Sequence, residues 1–414
     1  MITLFFCLAI GMVLASVLKL ASARNVMTVR SLDWNQAIPV LEAGVEEAMT
    51  HIYDDTSASA NGWTARTVGT NGNIVYSKQR TFSDGSYFYA TIYNASSNTP
   101  YIISQGYVRA PMKASQYISR MVMVTCSNPP NFFKNALTTS GAITISGGGH
   151  VDSFDSRIGG YNALTNRSAN GNIATDSTNN PAIAVGTGEV YGTVNTGPGG
   201  VVTVGGGSVG DVAWNTNAGN SGIQSTSWVS HNMNVNIPSN QPPTYTFTPT
   251  PGATSLGGSN ATFIGTGNYQ TTGDFTSSDS TKPLIVTGNA VLYITGKLTV
   301  SGSGFIQIRP GASLTVIVGG DSTVSGGGVV NGTGFASNFS LLGLNGCSKI
   351  TYSGSAAFIG TVYAPQADLT ISGSAGAFGA IVSKTANLSG GASLSHDDSL
   401  GVNKFLIATG WKEL

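Results

Sequence analysis

Charged residues make up only 9% of this 414-residue chain, against about 25% in ordinary globular proteins, and 55 residues are glycine. Lysine plus arginine equal aspartate plus glutamate at 19 each, which leaves no basic stripe for nucleic acid and no polybasic tail for a membrane surface. The three cysteines, Cys7, Cys126 and Cys347, are odd in number and far apart, which argues against a disulfide framework or a metal cage; a Cys126 to Cys347 bridge stays open in an oxidising compartment.

The first eighteen residues carry no charge and run into a helix-compatible stretch that ends near Tyr53. An uncharged run of this length suffices to cross a bilayer as a helix. After Lys19 the apolar residues thin to a stripe through Leu41, Val45 and Met49, while Arg24, Arg30, Asp33, Glu42, Glu46 and Glu47 appear between them. Three readings fit: a signal peptide cut after Ala21-Ser22-Ala23, a simple membrane anchor, and the core helix of a filament. The lack of a basic stretch ahead of Ile2 weakens the first. Pro39 removes one helix hydrogen bond and crowds the carbonyl four residues earlier, so a bend or loosened turn is expected between Asn35 and Pro39. Gly11 and Gly44 lie inside the apolar pattern and are read as points of close backbone approach.

The run Ser31 to Tyr53, with Trp34, Pro39, Glu42, Ala43, Gly44, Glu46, Glu47 and Ala48 in order, resembles the second half of the N-terminal helix in type IV pilin-like proteins. The resemblance covers about 50 residues. It implies membrane insertion, removal of a short basic leader and polymerisation by helix packing, followed by a β-rich globular part. Many such proteins carry a glutamate at the fifth mature position, whereas Phe5 stands here, counting from Met1. The expected filament core is then close packing of Phe5, Phe6, Leu8, Ile10, Leu14 and Val17.

Beyond Tyr53 the periodicity becomes alternating. Trp63–Val68, Ile74–Arg80, Tyr87–Asn94, Tyr101–Arg109 and Tyr117–Cys126 read as strands, separated by turn signals at Asn61-Gly62, Asn71-Gly72, Asp84-Gly85 and Asn98-Thr-Pro100. Five such strands predict an antiparallel meander packed on the helix stripe. From Ala136 onward, β-branched clusters of three to five residues are punctuated by glycine, as in Ala142-Ile-Thr-Ile145 and Leu284-Ile-Val-Thr-Gly288. Strands so short suit a parallel β-solenoid, in which each coil hands its edge to the next. The stretch from about Leu284 to Leu400 resembles the domain that accompanies the pilin-like helix, through Gly326-Gly-Gly-Val-Val-Asn331, Gly360-Thr-Val-Tyr-Ala-Pro365 and Ser395-His-Asp-Asp-Ser-Leu400; its coil rhythm is also similar to bactofilin-like solenoids.

The expected fold is therefore mainly β with one long N-terminal α-helix: a pilin-like helix plus small antiparallel sheet, followed by a large parallel β-solenoid. The expected divisions are the helix at 1–53, the meander at 54–135, a first solenoid block at 136–236, a Pro/Thr-rich connector at 237–262, and a second solenoid block with a C-terminal cap at 263–414.

Chemistry-bearing groups are few. Asp152, Asp155 and Asp211 read as turn caps, with paired-carboxylate or calcium chemistry as the rival. His150, Asp152, Asp155 and Arg157 form the densest ionisable cluster, and His396-Asp397-Asp398 reads as a solenoid end-cap. No catalytic, metal or cofactor site is expected. Asn94, Asn166, Asn260, Asn331, Asn338 and Asn387 begin glycosylation sequons, which makes surface glycans candidate partners. The functional expectation is a structural subunit of an extracellular filament of identical copies, inserted in the inner membrane before assembly. The alternatives are a membrane-anchored or tip-located minor pilin or adhesin, and a tethered polysaccharide-active β-helix enzyme.

Overall fold

The computed structural model describes residues 2–54, 61–68, 73–95, 99–110, 115–127, 131–256, 259–354, 358–374, 376–402 and 407–414. Met1, the Asn71-Gly72 turn and Asn98 lie outside them. The chain is mainly β with one long helix, and it divides into two units: residues 1–131 with 404–414, and residues 132–403.

In the first unit, α1 (Ile2–Asp54) runs unbroken through Pro39. Its C-terminal third buries Ala37, Leu41, Val45, Ala48 and Ile52, a spacing of three and four that keeps one face inward. That face packs on an antiparallel sheet of β1 (Thr64–Val68), β2 (Asn73–Thr81), β3 (Tyr87–Tyr93), β4 (Tyr101–Arg109) and β5 (Tyr117–Ser127). The alternation in the sequence decides which side faces the helix: Phe88, Ala90 and Ile92 of β3, Ile102 of β4, and Val122, Val124 and Cys126 of β5 point inward. Two glycines let helix and sheet approach. A Cβ at Gly106 would stand 2.6 Å from the Ala37 carbonyl oxygen, and one at Gly44 would meet the Ser104 hydroxyl and the Phe88 ring. Ser104 uses the proximity to donate a 2.7 Å hydrogen bond to the Leu41 carbonyl.

A sixth strand, Ile407–Glu413, lies antiparallel on β5 with Trp411 opposite Val124. The expected boundary 263–414 is corrected here, because the C-terminus closes the first sheet rather than capping the solenoid. The tie is long-range: Glu413 accepts two 2.7 Å hydrogen bonds from the Arg120 guanidinium, 293 positions away in sequence.

The second unit is a parallel β-solenoid, and its regular coils carry three short strands each. The chain enters the stack in its middle. Leu137–Thr139, Ile143–Ile145 and His150–Phe154 are followed one coil on by Ile173–Thr175, Ile183–Val185 and Glu189–Tyr191, in register Leu137 with Ile173, Ile143 with Ile183 and His150 with Glu189. Val194–Asn195, Val202–Val204 and Ser208–Gly210 add another coil, and Gly222–Ile223 and Val229–Ser230 begin a last one. From the opposite end, Gly267–Thr271 pairs with Asn289–Ile294, that with Ser313–Val318, and that with Phe339–Gly343, so the later half winds back toward the entry point. It arrives as the long strands Phe358–Ser372 and Gly376–Ser389.

The two halves interlock instead of standing as consecutive blocks. Gly376–Ser389 pairs with both Leu137–Thr139 and Ile143–Ile145, while Ser393–Asp397 lies between Gly376–Phe378 and His150–Phe154. One coil is thus assembled from Ser393–Asp397, Leu137–Thr139 and Ile143–Ile145, strands from opposite ends of the unit. The interior is a continuous stack of Ile, Val, Leu and Ala, including Ile143, Ile183, Leu298, Ile371 and Leu388.

The expected connector is a strap along this solenoid. Val235 N–H donates to the Asp176 carboxylate, the Asn240 amide donates to the carbonyls of Gly343 and Tyr363, and Phe247 packs on Tyr293 at 5.6 Å between ring centroids. It is shorter than 237–262, since Thr248–Pro249 already pairs with Tyr269 and Gln270, and Thr254–Leu256 forms an antiparallel pair with Ser259–Ala261.

Replacing Gly106 by alanine should destabilise the first unit by about 2 kcal/mol or more, because the new methyl presses on helix backbone that cannot yield. Thermal unfolding followed by near-UV circular dichroism checks this; an unchanged midpoint would show that the helix does not seat against β4 as described.

Candidate assembly surface

The C-terminal third of α1 is satisfied by its own sheet, and the rest of the helix is not. Phe5, Phe6, Leu8, Ile10, Leu14 and Val17 are all exposed, Phe5 at 80% and Leu8 at 58%, and the exposure continues through Leu20, Met27 and Leu32. Each large apolar side chain left in water forgoes about 1.5–3 kcal/mol of burial. More than a dozen in one rod make a surface that must be covered.

Two hydroxyls in this half are bonded back to the helix. Ser16 donates back to the Met12 carbonyl at 2.8 Å and Thr28 to the Arg24 carbonyl at 3.0 Å, which hides both hydroxyls against the helix backbone. The helix is long and apolar enough to cross a membrane. Its uncharged opening of eighteen residues rises about 27 Å at 1.5 Å per residue, close to the hydrocarbon thickness of a bilayer. Nothing lies within 4 Å of a Cβ built at Gly11, so within this chain that glycine faces open space.

Glu47 bridges Lys78 and Arg80 of β2, and Arg120 lies 5.2 Å over the Trp34 ring while it holds Glu413. His51 stacks on Trp63 at 5.0 Å and meets Tyr76 edge-on.

The ionisable residues of the solenoid sit in structural positions. Asp155 accepts two hydrogen bonds from the Arg157 guanidinium and one from the Arg157 N–H; Asp211 caps the short helix Val212–Asn215 by accepting from Trp214 N–H at 2.7 Å. The Arg157 side chain and the Gln224 amide, respectively, are the leading causes that hold both carboxyls below the usual range. Asp152 differs. It is completely buried, accepts a 2.5 Å hydrogen bond from the Tyr161 hydroxyl, and lies 3.9 Å from His150. Burial pushes its carboxyl up, against the opposing pull of nearby hydroxyls and cations. Arg167 stacks over Tyr191 at 4.6 Å, and the Tyr191 hydroxyl donates to Glu189. This aromatic and cationic surround carries no local sequence signal, because the solenoid coil and the loop after Phe154 assemble it.

His396-Asp397-Asp398 is not an end-cap; it locks the seam in mid-stack. His396 Nε2 donates to the Phe133 carbonyl at 2.8 Å, Asp397 accepts from the N–H groups of Ser156 and Ser399, and Asp398 accepts from Ser168 and Asn170. Among the described residues no group of three or more His, Cys, Asp or Glu side chains is placed to hold a metal ion. Cys126 and Cys347 are free buried thiols, and burial raises both, Cys347 to about 11. Of the sequons, Asn166 and Asn331 spend their amide nitrogens on backbone carbonyls, while Asn94, Asn260 and Asn387 are exposed.

A family model described as a domain of unknown function (DUF7305) matches residues 216–403, from the last coil of the first half through the strap to the seam. No curated protein matches the chain. Among solved structures, the crystal structure of the competence-associated pilin ComZ from Thermus thermophilus is similar to this chain at 11% identity, over 92% of this chain and 98% of that one, with a TM-score of 0.28, too low to carry an argument.

Because no described side chain in residues 2–30 belongs to either core, deleting this segment should give a monomeric protein without detergent, with a thermal midpoint within roughly 3 °C of the full chain. Size-exclusion chromatography and circular dichroism test this. Aggregation or loss of the β signal would mean that the exposed half is needed for folding.

Proposed function

We propose that the chain is a structural subunit of an extracellular type IV pilus-like filament, which polymerises through the N-terminal half of α1 and displays the β-solenoid on the filament surface. The observation that carries this reading is the division of α1: one apolar face is used up by its own sheet, and a long apolar rod is left over. Subunits wait in the inner membrane, where lipid covers Phe5, Phe6, Leu8, Ile10, Leu14 and Val17; on assembly, helices of neighbouring copies replace lipid. Pro39 lies in the first turn of the seated segment, between buried Ala37 and Leu41, where a missing hydrogen bond to the Asn35 carbonyl allows α1 to bend as subunits pack.

The solenoid suits a coat. Its neutral, hydroxyl-rich exterior favours weak repeated contacts, and its exposed sequons offer sites for glycans. A minor, tip-located subunit or adhesin is the second reading. The tethered-enzyme alternative finds little support: Asp152 has no surface to offer a substrate, and Asp155 is engaged by Arg157. Turnover of acidic or neutral polysaccharides, with or without calcium, that disappears in Asp152→Asn or Asp155→Asn would reinstate it.

Leu8→Asp or Leu14→Asp should abolish surface filaments while the protein still accumulates in cells, since an unpaired carboxylate among apolar helices costs about 3 kcal/mol or more per copy. Quantifying sheared surface material by immunoblot reads the effect, and wild-type yields from either variant would defeat the proposal.

A further inference from the structure

The first half of the solenoid ends on an incomplete coil. Gly222–Ile223 lies over Ser208–Val209 and Val229–Ser230 over Val194–Asn195, but among the described residues no strand lies over Val202–Val204, which pairs with Ile183–Val185 beneath it. The chain does not stay to supply that third rung. After Ser230 it turns back along the stack, where Met233 N–H donates to the Thr196 carbonyl and Val235 N–H to the Asp176 carboxylate. An open groove of about 760 Å³ is left at this end, lined by Val201, Val202, Ile223, Thr226, Val229 and His231 and, among the described residues, by no Asp, Glu, Lys or Arg.

Backbone and side chains at this edge both call for a strand. Ile183 N–H donates to the Val201 carbonyl and Gly205 N–H to the Val185 carbonyl, so these groups face the coil beneath. Bonding direction alternates along a strand, which turns the N–H and C=O groups of Val202 and Val204 away from the stack. The apolar columns stop at the same place. Ile143, Ile183 and Val202 stack in register, as do Ile145, Val185 and Val204; the first two members of each column are buried, whereas Val202 and Val204 are half-buried. At the far end of this ladder Ser277 is buried and its hydroxyl is engaged by the Lys282 and Phe305 carbonyls, so that end presents no such pair of aliphatic side chains.

We propose that Val202–Val204 is a docking edge for an extended segment of a partner polypeptide, which adds as a strand and supplies the missing rung. The segment carries aliphatic, preferably β-branched, residues at two alternate positions to continue the interior columns, with a polar residue between them facing out as Thr144 and Thr203 do. Copies of this chain hold their own segments of that pattern, such as Ile143–Ile145 and Leu298–Val300, with both aliphatic residues buried inside their stacks, so the occupant belongs to a different protein.

The test uses the full chain in detergent and a fluorescein-labelled synthetic peptide, Ala-Ile-Thr-Ile-Ser-Gly, which copies residues 142–147. Fluorescence polarisation should show saturable binding, and hydrogen–deuterium exchange should slow in residues 201–206 when the peptide is added. Val204→Pro removes an outward-facing N–H and spares the bonds to the coil beneath, while Ile223→Glu sets a charge in the groove at a position already 37% exposed. Each should weaken binding about tenfold or more with an unchanged thermal midpoint, and if one variant fails to fold the other decides. An Ala-Asp-Thr-Asp-Ser-Gly peptide should not bind. Absence of saturable binding, equal binding by folded variants, or protection confined to other segments overturns the proposal. Displacement of the peptide by neutral oligosaccharides assigns the groove to glycans, and wild-type self-association that is lost in Val204→Pro assigns it to a second copy; either result also overturns it.

Discussion

The first unit is organised by an apolar helix that has one partner too few. Ala37, Leu41, Val45, Ala48 and Ile52 are buried against a sheet that alternation builds for them, and two glycines let the sheet come close enough to seal the contact. Ahead of Asp33 the same helix carries an apolar surface that the described residues of its own chain leave exposed. Lipid and other copies of α1 are the two environments that supply such cover without unsatisfied polar groups. The hydroxyls of Ser16 and Thr28, folded back onto the helix, suit either one.

The solenoid answers a different constraint, that of being inserted between two neighbouring strands of one sheet. β5 leads into it and Ile407–Glu413 returns from it, so its two chain ends have to leave side by side. A solenoid wound from one end to the other would separate them by its full length. Entering in mid-stack, running out to one end, crossing back along the strap and winding in again brings both ends to one coil. The seam is held by ladder pairing of Ser393–Asp397 on both sides and by the hydrogen bonds of His396, Asp397 and Asp398. These side chains consequently serve closure of the stack, with no role for them in capping an end.

Much of this was legible in the residues. The uncharged opening run gives the helix, the alternation in Tyr87–Tyr93 and Tyr101–Arg109 gives the sheet, and glycine-spaced Val/Ile clusters give parallel coils. The order in which the coils stack was not. A rung such as Ile183–Val185 offers the same buried, half-buried, buried pattern as Leu298–Val300, so nothing local says which rung lies above which. Pairing of Ser393–Asp397 with His150–Phe154 and of Ile407–Glu413 with β5 spans more than two hundred residues, and only the assembled edges select it. Asp152 looked like its neighbours Asp155 and Asp211; its burial under Tyr161 depends on the seam, which sequence spacing does not reveal. The exposed apolar rod, by contrast, was visible from the first eighteen residues because it depends on composition alone.

The central claim is that α1 finds its missing partner in other copies of itself. The direct measurement is a three-dimensional reconstruction by electron cryo-microscopy of filaments sheared from cells that express the chain. The account requires residues 2 to roughly 23 to lie near the filament axis, with Phe5, Phe6, Leu8, Ile10, Leu14 and Val17 against the same segment of several neighbours. Filaments that lack this chain, or hold it with the helix outside and in contact with no other helix, would contradict it.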